Sequence, residues 1–174
     1  SSTFDNGFHD LTLDCNDVSG LGGVLSDAWQ EGGGLYNCLI DNFRTYGVRF
    51  QEGDGGIASC RIHGCEIFGS TAGATAGIYV DDTVSLVASF GLSVDNCTFS
   101  GGGGAQSDLS YGIRMVGGSL TANLCHFESM ETAILLDGPG HHTLIMCKGS
   151  NAAVGVTNLV SIASTFTGTL RMIG

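Results

Sequence analysis

The sequence predicts an all-β solenoid, a single domain over residues 1–174 wound into about six coils. Two repeated phrases and one absence predict it. A cysteine phrase recurs as "LYNCLIDNF" at 35–43, "IHGCEIF" at 62–68, "VDNCTF" at 94–99 and "ANLCHF" at 122–127. A second phrase recurs between the cysteines: "GVLSD" from 23, "GVRFQE" from 47, "GIYVDD" from 77, "GIRMVG" from 112 and "AILLDG" from 133. Neither heptads nor an apolar helical stripe accompany them. Short strands repeating every 20 to 35 residues bury a face only by stacking on the next repeat.

The cysteine phrase sets the expected register. Cys15, Cys38, Cys65, Cys97, Cys125 and Cys147 lie 23, 27, 32, 28 and 22 residues apart. Asp14, Asn37, Gly64 or Asn96 stands just before the cysteine, and these types accept a turn or left-handed backbone. Ile40, Ile67, Phe99 or Phe127 stands two positions after it and points the same way, into a core. Seven cysteines is an odd count, with no C-x2-C spacing. Zinc sites group their ligands in pairs, and disulfide-stapled domains are smaller than this chain. The cysteines read as small buried hydrophobes, with disulfides as the alternative. Reduced thiols point to folding in a reducing cytosol.

The second phrase reads as a strand with its second and fourth residues buried. These are Val48 and Phe50, Ile78 and Val80, Ile113 and Met115, and Ile134 and Leu136. Stacked coils sit ~4.8 Å apart and align equivalent residues in columns. "GSTAGATA" and "SGGGGAQSDLSY" read as loops that make the repeat length vary. The glycine run lacks the Lys-Ser/Thr and the following helix of a phosphate loop.

These phrases, with "FHDLTLDCN" and "DAWQEGGGLYNCLIDNFRTYGVRF", resemble the right-handed parallel β-helix of the pectate-lyase-like superfamily, and in particular bacteriophage tailspikes and related polysaccharide-acting proteins. The resemblance covers the chain to about residue 160. It implies a right-handed winding, a host-surface polysaccharide as partner, a homotrimer and a place on a virion. The superfamily includes lyases, hydrolases and binders without activity, so the fold names no reaction. No fixed catalytic motif of the superfamily matches here, and no catalytic residue is carried over.

Composition removes several classes. Seventeen acidic residues against six basic ones leave a formal charge of −11, with Lys148 the only lysine. Nucleic acid needs basic patches to neutralise phosphates, and none is present. No apolar run reaches the ~18 residues that span a bilayer, so no membrane insertion is expected.

If the second and fourth residues of the second phrase point inward, the third points outward. That column reads Leu25, Arg49, Tyr79, Arg114, Leu135. The strand ends give Asp27, Gln51, Asp81, Val116 and Asp137, with Glu52 and Asp82 one step on. An aromatic ring stacks on a sugar and arginine forks hold carboxylates or hydroxyls, so Arg49, Tyr79 and Arg114 are the candidate substrate-binding residues. Glu52, Asp81 and Asp82 are the candidate acid–base groups. Stacking would set Glu52 about 5 Å from Asp81 or Asp82, near the spacing of a retaining glycosidase. Asp27 and Asp81, two coils apart, would be ~10 Å apart, slightly wide for an inverting one. The same acidic residues could hold Ca2+, but calcium takes 6–8 oxygens and only three can be named. Asp and Asn also end strands simply as turn residues, and that reading stays open.

Other residues carry less. Trp29 is a sugar platform or an apolar plug under a loop. His141 and His142, adjacent in a strand, point to opposite faces and do not share a metal. His63 and His126 flank cysteines and read as outward or coil-packing residues. No G-x-S-x-G occurs. The chain opens "SSTFDNG" without Met and ends "NLVSIASTFTGTLRMIG" without a polar cap, which reads as a processed chain, a fragment or an oligomer. The function expected is an adhesin that binds, and in one variant cleaves, a host-surface polysaccharide. Two alternatives stand beside it: a structural β-helix of a virion shaft or decoration, and a secreted polysaccharide lyase, which suits free cysteines poorly.

Overall fold

The computed structural model describes residues 7–20, 22–26, 33–51, 59–70, 73–81, 91–101, 109–150 and 155–174. Those residues form three parallel sheets and no helix. Sheet A holds seven strands: Gly7–His9, Gly33–Tyr36, Ser59–His63, Gly91–Asp95, Ser119–Asn123, Pro139–Ile145 and Thr167–Ile173. Sheet B holds six: Thr12–Asp14, Leu39–Phe43, Glu66–Gly69, Thr98–Gly101, His126–Glu128 and Lys148–Gly149. Sheet C also holds six: Val24–Ser26, Tyr46–Gln51, Ala74–Asp81, Leu109–Met115, Met130–Leu136 and Asn158–Ile162. The chain visits A, B and C in turn, so it makes six coils of a parallel β-solenoid, and the last strand of sheet A opens a seventh.

The three sheets enclose one core. Sheet B supplies the column Leu13, Ile40, Ile67, Phe99, Phe127, and the rings of Phe99 and Phe127 stack at 5.0 Å. Sheet C supplies Val48, Ile78, Ile113 and Ile134, all fully buried. Removing each such side chain from water stabilises the fold by about 1.5–3 kcal/mol. On the first five coils the residue before the inward pair's first member in sheet C is small: Gly23, Gly47, Gly77, Gly112 and then Ala133. A Cβ at Gly77 would meet the Gly112 carbonyl oxygen at 2.7 Å and Phe99 at 2.8 Å, so the phrase opens with glycine because the next coil passes too close for a side chain.

The corner from sheet A to sheet B is one residue with positive φ, followed by the cysteine. The corner column is Asp10, Asn37, Gly64, Asn96, Leu124 and Met146, with φ of 52, 53, 64, 52, 53 and 48°. This corrects the expected register at one point. Cys15 is not in the cysteine column, and Asp14 is not a corner. Leu39 follows Cys38, and Leu39 N–H donates to the Leu11 carbonyl, while Thr12 pairs with Leu39. Leu11 therefore holds the place expected for Cys15, which lies just past the Thr12–Asp14 strand. The remaining five cysteines stack as expected. Cys97 Sγ donates to the Asp95 carbonyl at 3.3 Å, and accepts the Cys65 N–H at 3.4 Å. Cys65 Sγ in turn accepts the Cys38 N–H at 3.4 Å. All seven cysteines are free thiols, and all but Cys147 are buried.

Candidate functional site

The outer face of sheet C aligns the expected column. Leu25 pairs with Arg49, Arg49 with Tyr79, Tyr79 with Arg114, and Arg114 with Leu135. A second column, three residues earlier, runs Tyr46, Ala76, Tyr111, Thr132, with the two tyrosines half-buried and Ala76 and Thr132 buried. Ala76 is small, and the larger Tyr79 of its strand lies against the Tyr46 ring. Tyr79 stacks on Tyr46 with centroids 4.7 Å apart and planes at 15°. The Arg49 guanidinium sits 5.5 Å from the Tyr46 ring and 5.7 Å from Tyr79. The Arg114 guanidinium sits 5.2 Å from Tyr79 and 5.8 Å from Tyr111. Three tyrosines and two arginines thus form one continuous stack over three coils.

Each arginine also reaches a carboxylate on the following coil. Arg49 Nη2 donates to Asp81 Oδ2 at 2.9 Å, and Arg114 Nη2 donates to Asp137 Oδ2 at 3.2 Å. Both carboxylates lie two positions past the residue opposite their arginine, so the two bridges repeat one geometry. The Nε of both arginines is buried and has no hydrogen-bond partner among the described residues. The electron-rich faces of the tyrosine rings beside them attract the guanidinium groups. Burial pushes the Tyr79 phenol above its ordinary range, with the Asp81 carboxylate adding to it. Thr165 Oγ1 also bonds Asp137. At the first-coil end of the stack a recess of about 270 Å3 opens between Gly22, Gly23, Thr45, Tyr46 and Arg49.

Among the acid–base candidates, the described residues include Asp81 alone. Glu52 and Asp82 lie outside them, as do Asp27 and Trp29. Asp81 Oδ2 is engaged by Arg49, which makes it a brace between coils before it is anything else. Among the described residues no three His, Cys, Asp or Glu side chains converge in a way that could hold a metal ion. His142 is buried in the core and His141 is exposed, on opposite faces of their strand.

Sequence reasoning passed over Tyr46, Tyr111 and the role of Asp137. A signal for the two tyrosines was present: "YGVR" at 46–49 and "YGIR" at 111–114 are the same phrase two coils apart. Comparison with protein-family models, with curated proteins and with solved structures finds no match for this chain.

Proposed function

We propose that the protein binds a host-surface polysaccharide along the outer face of sheet C, as a tailspike-like adhesin. The single observation that carries this reading is the five-residue stack of Tyr46, Arg49, Tyr79, Arg114 and Tyr111 on neighbouring coils. A solvated solenoid face has no need of stacked aromatics. Ring edges and the exposed third of each arginine side chain offer a sugar both an apolar wall and charged donors. The likeness of the repeat phrases to polysaccharide-acting β-helices is analogy at the level of fold and adds only modest weight. Binding without cleavage is the form favoured, because Asp81 is already committed to Arg49.

The test is a panel of capsular and lipopolysaccharide glycans, scored for retention on the immobilised protein and for shortened products by mass. Retention without shortening fits the proposal. Shortened products would make it an enzyme. A purely structural β-solenoid is the second reading, and the same two ion pairs favour it, since they tie coil to coil. It requires that no glycan is retained.

A further inference from the structure

A second open feature lies on sheet A, around the solenoid from the stack. It is a cleft of about 560 Å3. Its lining carries the hydroxyls of Ser59, Ser93, Ser119 and Thr121, with Tyr36 and Arg61 beside them. The register explains the grouping. Arg61, Ser93 and Thr121 are successive members of one outward column, and Ser59, Gly91 and Ser119 of the next. At Gly91 an added Cβ would meet nothing within 4 Å among the described residues, so the glycine leaves the floor open.

One carboxylate organises the polar groups. Asp95 Oδ2 accepts Arg61 Nε at 3.2 Å and the Ser93 hydroxyl at 3.0 Å. Arg61 nevertheless keeps 56% of its side chain exposed, against 35% for Arg49 and 29% for Arg114. Tyr36 is held by stacking on His9, centroids 4.6 Å apart and planes at 9°. Whereas the sheet C arginines are sandwiched and paired, Arg61 is positioned and still open to solvent.

The chemistry of the lining selects the ligand class. The strands that form the floor are each paired on both sides, so a peptide strand finds no free edge to extend. A chain of charge −11 does not attract nucleic acid. What remains is side-chain hydroxyls repeated at the coil spacing of ~4.8 Å, one aromatic and one guanidinium. We infer that this cleft is a carbohydrate site separate from sheet C, holding a short oligosaccharide by its hydroxyls, with Arg61 reading an acidic substituent. The inference does not depend on the sheet C face binding anything.

The experiment is amide NMR of the full chain titrated with two probes, an acidic hyaluronan hexasaccharide and neutral maltohexaose. The expected result is shifts at Arg61, Ser93 and Thr121 with the acidic probe. Gly91→Leu should fill the cleft and weaken that binding about tenfold or more. Arg61→Ala should weaken it about tenfold while leaving any maltohexaose binding unchanged. Tyr79→Ala should leave it unchanged, and thermal melts of all three variants check that they fold. No shift at these residues with either probe at millimolar concentration overturns the inference. So does binding that survives Gly91→Leu intact. Shifts confined to Arg49, Tyr79 and Arg114 overturn it too, while leaving the sheet C reading in place.

Discussion

Arg49 crosses a coil boundary to Asp81, Nη2 to Oδ2 at 2.9 Å, although the residue opposite Asp81 in the register is Gln51. The bridge is therefore diagonal, and it fixes the guanidinium over the Tyr46 and Tyr79 rings. Partly exposed ion pairs contribute little, ~0.2–1 kcal/mol, and each ring contact ~0.5–1 kcal/mol. Arg49→Ala should therefore cost about 1–2 kcal/mol in urea unfolding. Asp81→Asn should cost less than that. In a double-mutant cycle the pair should couple by under about 1 kcal/mol, because the ring contacts survive loss of the carboxylate.

The corner column predicts two stabilising substitutions. Leu124 and Met146 hold φ of 53 and 48°, and their relative exposures are 49% and 61%. The same corner is filled by Asp10, Asn37, Gly64 and Asn96 elsewhere, types that accept the left-handed region. Neither apolar side chain is rescued by burial. Leu124→Asn and Met146→Asn should each stabilise by about 0.5–1 kcal/mol, read as a higher urea midpoint with unchanged slope. The reverse change, Asn96→Leu, should lower the midpoint.

His142 makes stability depend on pH. It is 3% exposed, rests against Phe166 with ring centroids 5.7 Å apart, and its Nδ1 has no partner among the described residues. Burial, with the neighbouring His141, holds its imidazole down to about 4 from 6.5. Between those values the unfolded chain binds the proton and the folded one does not. Stability from this group is thus intact above about pH 6.5, falls as the pH drops through the window, and is fully lost below about pH 4. The whole loss is about 3 kcal/mol. His142→Leu matches Leu120 and Leu170 on either side of it in the column. Melts from pH 7 to 4 should show the wild type losing more stability than this variant.

The thiols should report the coil stack. With six of seven buried, a disulfide-exchange reagent should label the native protein slowly and Cys147 first. The hydrogen bond with Cys125 lowers the Cys147 thiol, whereas burial pushes Cys60 up to about 12. All seven should react at once after denaturation. Rapid labelling of Cys97 or Cys125 in the native state would contradict the packing.

How much of this was legible follows from what each residue type encodes. The columns of sheet C were readable because strict alternation marks the phrase and a glycine opens it on the first four coils. Cys15 misled because a thiol does not define the corner; positive φ does, and Asp10 rather than Asp14 carries it. Leu124 and Met146 gave no hint, since apolar residues rarely sit in that region. Sheet A alternates as strictly, with Arg61, Ser93 and Thr121 each standing between two buried residues, but its residue types change from coil to coil, so no repeated phrase marks it. The Arg61–Asp95 pair spans 34 residues and becomes visible only once the sheet A register is known. Tyr46 and Tyr111 were missed because Ala76 interrupts their column, and Tyr79 fills that gap from another position.

The central claim is that the tyrosine–arginine stack binds glycan. The most direct measurement is retention of the glycan panel by the wild type and by one variant combining Arg49→Ala, Tyr79→Ala and Arg114→Ala, folded by circular dichroism. Binding by the wild type that drops at least about a hundredfold in the variant, some 2.7 kcal/mol, is the predicted result. Binding that the triple substitution leaves unchanged would contradict it.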